Sequence, residues 1–273
     1  MSILACGRFE LDLSSPKIMA IVNLTTNSFS GDGLSGDQSA ALRRAEEAVR
    51  AGAEILDIGA ESTRPGSEPV PEQQEIDLLL PVLEELVRWQ LPISVDTLKP
   101  ATMRAVLAAG ADMINDVNGF RAHGAIEAVA GTKAALCVMH MQGEPRTMQH
   151  SPAYTDVVRE VAAFLAQRVA VLELAGVARS RIVLDPGFGF GKTPDHNCAL
   201  LRELGTFSAG GLPVLVGLSR KSILGVITGR PVDQRVAASV ASALIAVQRG
   251  ASIVRVHDVA PTRDALMVWR AVS

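Results

Sequence analysis

The chain has 273 residues, 48% of them hydrophobic and 20% charged, a balance that supports a large packed core and excludes an intrinsically disordered chain. Its formal net charge of -3 leaves no chain-wide basic field, which argues against nucleic acid as a partner. Three scattered cysteines, Cys6, Cys137 and Cys198, without CxxC spacing argue against a disulfide framework or a structural zinc site. The N-terminal residues carry charge and no long apolar run, so neither a signal peptide nor a membrane span is expected, and a reducing cytoplasm is the expected location.

In chain order, a short hairpin is predicted over 3–13. Eight short β-rich apolar runs follow, at 18–23, 55–59, 92–96, 113–117, 135–140, 182–186, 213–219 and 253–257, and their continuous Val, Ile and Leu content suits strands buried on both faces. Segments 37–52, 72–88, 100–110, 155–175, 194–205, 233–250 and 261–271 have helical spacing, with a short helix over 124–131. Asp37 and Thr155 are predicted N-caps, and Gly52, Gly110 and Gly250 predicted C-terminal stops. Strand and helix alternate through the chain with no linker and no second fold signal. This predicts one α/β domain over 1–273, a (β/α)8 TIM barrel with a short N-terminal β-hairpin, with an open doubly wound sheet as the alternative of equal strand count.

Closure of the barrel would gather the C-terminal strand ends at one mouth, where function sits in this architecture. Those ends read Asn23, Asp57, Asp96, Asn115 with Asp116, His140, Asp185, Ser219 followed by Arg220 and Lys221, and Arg255 with His257. One polar strand end is an ordinary turn former. Eight that converge bury charge, which is costly unless partners or a ligand satisfy it. Arg64, Lys221, Arg255 and His257 point to an anionic ligand such as a diphosphate, against the alternative of surface salt bridges. Asp96, Asn115, Asp185 and Lys221 form a second group suited to a flat heterocycle with donors and acceptors along its edges. Met139 and the phenylalanines at 188 and 190 are either ring-packing residues or core filling.

DPGFGFGKT resembles a phosphate-binding P-loop, but GxxxxGK[ST] needs Gly where the chain has Pro186, and Pro194 stands between Thr193 and any helix. His140, Glu144 and His150 match no zinc spacing. The expected metal is a Mg2+ ion bridging a diphosphate and Asn23, since Mg2+ prefers phosphate oxygens and water to an all-protein cage.

Seven segments in order, MAIVNLTTNSFSGDG (19–33), DIGAESTRPG (57–66), SVDT (94–97), NDVNG (115–119), LDPGFGFGKT (184–193), GLSRKS (217–222) and RVHDV (255–259), make the chain similar to the dihydropteroate synthases over essentially its whole length. The resemblance implies an enzyme joining p-aminobenzoate to 6-hydroxymethyl-7,8-dihydropterin diphosphate, with catalytic roles for Asp96, Asp185, Lys221, Arg255 and His257. It implies that Asp96, Asn115, Asp185 and Lys221 hold the pterin. Asn23, Arg255 and His257 would hold the diphosphate with Mg2+, and Thr63, Arg64, Phe190, Lys221 and Ser222 would shape the p-aminobenzoate pocket. Mobile loops are implied at roughly 24–36 and 60–71, and a homodimer, for which the apolar segments 237–247 and 265–272 are candidate surfaces.

The first loop departs from the family's TPDSFSDGG, with Thr26, Asn27 and Gly31 at the Pro, first Asp and second Asp positions; Asp32 lies one place later and Phe29 is retained. Altered p-aminobenzoate or sulfonamide affinity is expected there. Two other functions stay open. A pterin-dependent methyltransferase would share the barrel but would need neither the cations nor a diphosphate, and a non-catalytic pterin-binding relative would retain the pterin diphosphate without consuming it.

Overall fold

The computed structural model describes residues 3–24, 33–61, 69–144 and 146–272. In it β1 (Ile3–Cys6) and β2 (Phe9–Asp12) pair antiparallel. The eight remaining strands form one parallel sheet: β3 (Lys17–Asn23), β4 (Ile55–Gly59), β5 (Ile93–Asp96), β6 (Met113–Asp116), β7 (Ala135–Met139), β8 (Ile182–Asp185), β9 (Leu215–Val216) and β10 (Ile253–Val256). Their order is β8-β7-β6-β5-β4-β3-β10-β9. A parallel bridge between Leu184 and Val214, with the Leu184 N–H donating to Pro213 at 2.9 Å, brings the two ends together. The sheet therefore closes into the expected barrel, and the open-sheet alternative falls away.

Alternation along the strands separates two cores. Outward residues such as Leu56, Ile58, Val95 and Ile114 join the large core under the helices. Inward residues Met19, Ile55, Met113, Cys137, Val183, Leu215 and Ile253 form a second core in which Leu4, Cys6 and Leu13 of the hairpin segment also sit. The hairpin thus plugs the N-terminal end of the barrel. Arg8 fastens it there, donating through its backbone N and Nε to Asp112 Oδ1 at 3.0 and 2.9 Å, just before β6. Because strand side chains repeat every two residues, Asp57, Asn115, Asp185 and Arg255 lie on the same inward face as Ile55, Met113, Val183 and Ile253, two residues toward the C-terminal mouth.

The helices are α1 (Gly33–Ala51), α2 (Glu72–Leu86), α3 (Pro100–Ala108), α4 (Ala125–Val129), α5 (Val157–Leu174), α6 (Pro194–Arg202), α7 (Gly205–Ser208), α8 (Ser222–Thr228), α9 (Val236–Gln248) and α10 (Val259–Val272). On α5 the buried residues Val157, Val161, Leu165, Val169 and Leu172 recur at spacings of three and four and lay one face on the sheet.

Several boundaries differ from the sequence reading. The α5 cap is Asp156, whose side chain accepts from the Arg159 N–H at 3.1 Å, and not Thr155; the Thr155 N–H is instead taken by Glu160 Oε1 at 2.8 Å. The first helix begins at Gly33, ahead of Asp37. The segment 194–205 breaks into α6 and α7, and α6 follows Thr193 directly: Thr193 Oγ1 accepts from the His196 N–H at 3.2 Å, with Pro194 as the first helical residue. Pro194 is therefore no argument against a P-loop. The expected strand 213–219 is reduced to β9 over Leu215–Val216, with the single bridge at Val214 before it. Beyond it the chain leaves the sheet, and the Ser219 hydroxyl, not a ladder carbonyl, accepts the His257 N–H at 3.1 Å. Helix α8 escaped the sequence reading because its seven residues hold only about two turns of periodicity, with Gly225 inside.

Candidate active site

The guanidinium of Arg255 organises the barrel mouth. From β10 it reaches over β3, donating through Nε to Asp57 Oδ2 of β4 at 2.5 Å and through Nη2 to Asp96 Oδ2 of β5 at 2.9 Å. Asn115 of β6 adds an Nδ2 donor to Asp57 Oδ2 at 3.3 Å. Burial works against the Arg255 charge, but Asp57 and Asp96 outweigh it and hold the group above its ordinary value. Asp96 is pushed up to about 7, first by burial and then by its neighbours Asp57, Asp116 and Glu75, with Arg255 holding it down. Asp57 is fully buried and was noted at the sequence level only as a strand end. Its place beneath Arg255 makes it the anchor of this network.

Asp185 ends β8 in register with Met139 of β7. Burial raises its pKa, opposed mainly by Lys221, and its Oδ1 accepts from the Gly187 N–H at 2.7 Å. Lys221 directly precedes α8 and donates to the Phe188 carbonyl, with its Nζ 4.6 Å from the centre of the Phe190 ring. Burial brings this ammonium down to about 8, Asp185 resisting the change. From behind, Arg235 Nη1 donates to Arg220 O at 3.1 Å and Lys221 O at 3.4 Å, fixing the backbone that carries the lysine. Arg220, with φ of 57°, pairs with Asp258. Neither Arg235, whose acceptors are backbone carbonyls, nor the Arg220–Asp258 side-chain pair, 38 positions apart, was assigned a role from sequence, because no local spacing reveals them.

Of the remaining predicted residues, Asn23 ends β3 opposite Gly59 of β4. His257 follows β10 and shares an Nδ1–Oγ hydrogen bond of 3.0 Å with Ser219. Met139 is buried with Val117, Met141 and Met148, Phe190 packing against the group. Ser222 is the exposed first residue of α8. Thr63 and Arg64 lie outside the described residues, as do Thr26, Asn27, Phe29, Gly31 and Asp32 of the first loop. Among the described residues, Asp57 Oδ1, Ser94 Oγ and Asn115 Oδ1 are buried without a hydrogen-bond partner. Such orphans are expensive in a native core and collect where a ligand or water completes them.

The family model described as "Pterin binding enzyme" matches residues 19–257. The dihydropteroate synthase of Neisseria meningitidis serogroup B is 50% identical over 274 residues, covering 98% of this chain and 96% of its own. Among solved structures, Burkholderia cenocepacia dihydropteroate synthase complexed with 7,8-dihydropteroate is 53% identical with a TM-score of 0.92, over 99% of this chain and 96% of that one. Xanthomonas albilineans dihydropteroate synthase with 4-aminobenzoic acid is 48% identical with a TM-score of 0.93, over 99% of this chain and 98% of that one. With a matched family model over most of the barrel and relatives of this identity over nearly the full length, the chain belongs to the pterin-binding enzyme family and, within it, to the dihydropteroate synthases.

Proposed function

We propose that this chain, as a single barrel domain, condenses p-aminobenzoate with 6-hydroxymethyl-7,8-dihydropterin diphosphate to give 7,8-dihydropteroate and pyrophosphate in folate biosynthesis. The observation that carries the reading is the set of Asp57, Asp96, Asn115, Asp185, Lys221 and Arg255 at one barrel mouth, in which buried Asp57, Asn115 and Asp185 meet the partly buried Asp96, Lys221 and Arg255 beside unpartnered polar atoms. Asp96, Asn115 and Asp185 offer acceptors and an amide to the amino and ring N–H groups of a pterin, with Lys221 as a donor and Met139 against the ring. Phe190 and Ser222 would border the arylamine, a role that the family resemblance also gives to Thr63 and Arg64.

In the reaction the bond between the exocyclic methylene carbon and the diphosphate oxygen breaks. The arylamine nitrogen bonds to that carbon and loses a proton. Negative charge grows on the departing diphosphate, so Arg255 and His257 act where the transition state differs most from the bound substrate. No side chain needs to attack. Asn23, at the end of β3, would hold Mg2+ through its amide oxygen beside a bound diphosphate, since this ion prefers phosphate oxygens and water and needs few protein ligands. When bound it neutralises diphosphate charge.

The methyltransferase alternative leaves these cations without a use. Pyrophosphate release from the pterin diphosphate in the presence of Mg2+ tests the proposal. Release that requires p-aminobenzoate is the expected result; tight pterin diphosphate binding without release would favour the non-catalytic reading. No helix among the described residues is long and apolar enough to cross a membrane. A homodimer is supported by exposed apolar side chains on three helices near the C-terminus, Val226 and Ile227 of α8, Ile245 of α9, and Met267 and Val268 of α10. Sedimentation is expected to give a two-chain particle that Ile227→Glu with Met267→Glu reduces to one chain; an unchanged particle would move the interface elsewhere.

A further inference from the structure

The GKT lysine is absorbed by neither a nucleotide site nor the substrate contacts above. Lys192 is 3% exposed, and its ammonium stands 2.9 Å from the carbonyls of both Gly187 and Phe190, 3.3 Å from the His140 carbonyl and 3.0 Å from His140 Nδ1. Burial, with Lys192 and Arg121 as neighbouring cations, holds His140 down at about 3. The ring is therefore neutral, and a lone pair at Nδ1 faces the ammonium with the ring proton on Nε2.

The segment that Lys192 gathers is one that has little stiffness of its own. Gly187, Gly189 and Gly191 all have positive φ, and a Cβ on Gly187 would lie 1.9 Å from the His140 carbonyl, so the loop needs glycine to lie against the end of β7. Three glycines in five residues also leave many other shapes open to the chain. Yet this loop supplies the Phe188 carbonyl and the Phe190 ring that locate Lys221. A compact ammonium with three donors can satisfy several converging carbonyls at once, which a planar guanidinium cannot do in the same space.

We propose that Lys192 is a positioning residue for the reaction: by tying Gly187, Phe190 and His140 together it holds the glycine-rich loop in the shape in which Phe188 and Phe190 fix the Lys221 ammonium. The proposal rests on the synthase reading. Asp185 supports the Lys192 charge against burial and against Lys221, the other titratable groups near it besides neutral His140.

The test is steady-state dihydropteroate formation by native enzyme, Lys192→Met, Phe190→Leu and the double variant, with thermal unfolding of each. Lys192→Met is expected to lower kcat/KM by roughly 30-fold, within the range a displaced catalytic group can cost. The double variant should be no more than about threefold worse than the poorer single one, because both changes disturb the same element. Multiplying effects, or Lys192→Met activity within about twofold of native alongside a lowered Tm, would make the lysine a folding residue only and overturn the proposal. Should Lys192→Met not fold, His140→Leu removes one acceptor and keeps the ammonium. A loss of about threefold in kcat/KM with native Tm supports the proposal, and no loss overturns it. Absence of turnover in the native enzyme would instead sink the synthase reading, which keeps the two failures apart.

Discussion

Replacing Arg255 with alanine is expected to cost the protein both turnover and stability. Arg255 is the only cation bonded to both Asp57 and Asp96 among the described residues. Its removal leaves two carboxylates at the barrel mouth, one fully buried and the other with a side chain 12% exposed. Breaking a buried pair by deleting one partner costs about 3–5 kcal/mol, since the surviving charge has neither water nor a counter-ion. The sign of the pH dependence follows. Without the guanidinium the Asp96 carboxyl, already raised by burial, loses the group that holds it down and rises further above its unfolded value, so protonation favours the folded variant, and its deficit is largest above pH 7 and shrinks as pH falls toward about 4. Denaturant midpoints at pH 6 and pH 8 should therefore diverge more for Arg255→Ala than for the native chain. Turnover should fall by about 10^3-fold, the scale of losing a preorganised charge at a developing anion. Arg255→Lys should lie between, because one ammonium cannot bridge two carboxylates from β4 and β5 as a planar fork does. Near-normal pyrophosphate release by Arg255→Ala would remove it from the reaction.

The barrel and most of this mouth were legible in the sequence for one reason: both are written in short-range patterns. Inward and outward positions follow from period-two alternation, and a polar residue ending an apolar run declares itself whatever its partners. What connects those residues is not written locally. Asp57 and Arg255 are 198 positions apart, and only closure of the sheet reveals that Arg255 passes over β3 to reach Asp57 and Asp96. Lys192 read as part of a failed nucleotide motif because its acceptors are backbone carbonyls, which every residue possesses and no sequence distinguishes. The same holds for Arg235 behind Lys221. The caps were missed at finer grain: Thr155 and Asp156 are both good cap residues, and the choice between them depends on where Glu160 reaches. Strand β9 was overextended because its apolar letters continue after the chain has turned out of the sheet.

The pH dependence of kcat/KM for the pterin diphosphate should be a narrow bell, with an acid limb near 7 from Asp96 and an alkaline limb near 8 from Lys221. Burial drives the two values toward each other, raising the acid and lowering the base, so both groups are charged together only in a small window. Below it Asp96 takes a proton and ceases to accept from the pterin; above it Lys221 loses the proton with which it donates. Asp96→Asn separates these contributions. It keeps the side chain's size and an oxygen for Arg255 but cannot titrate, so the acid limb should vanish while the alkaline limb remains, at a maximal rate reduced about 100-fold. An acid limb near 7 that persists in Asp96→Asn would mean that another carboxyl titrates there. Asp116, at about 6 and held by the N–H groups of Asn118 and Phe120, would be the next group to replace, and Asp96 would then bind the pterin in either protonation state.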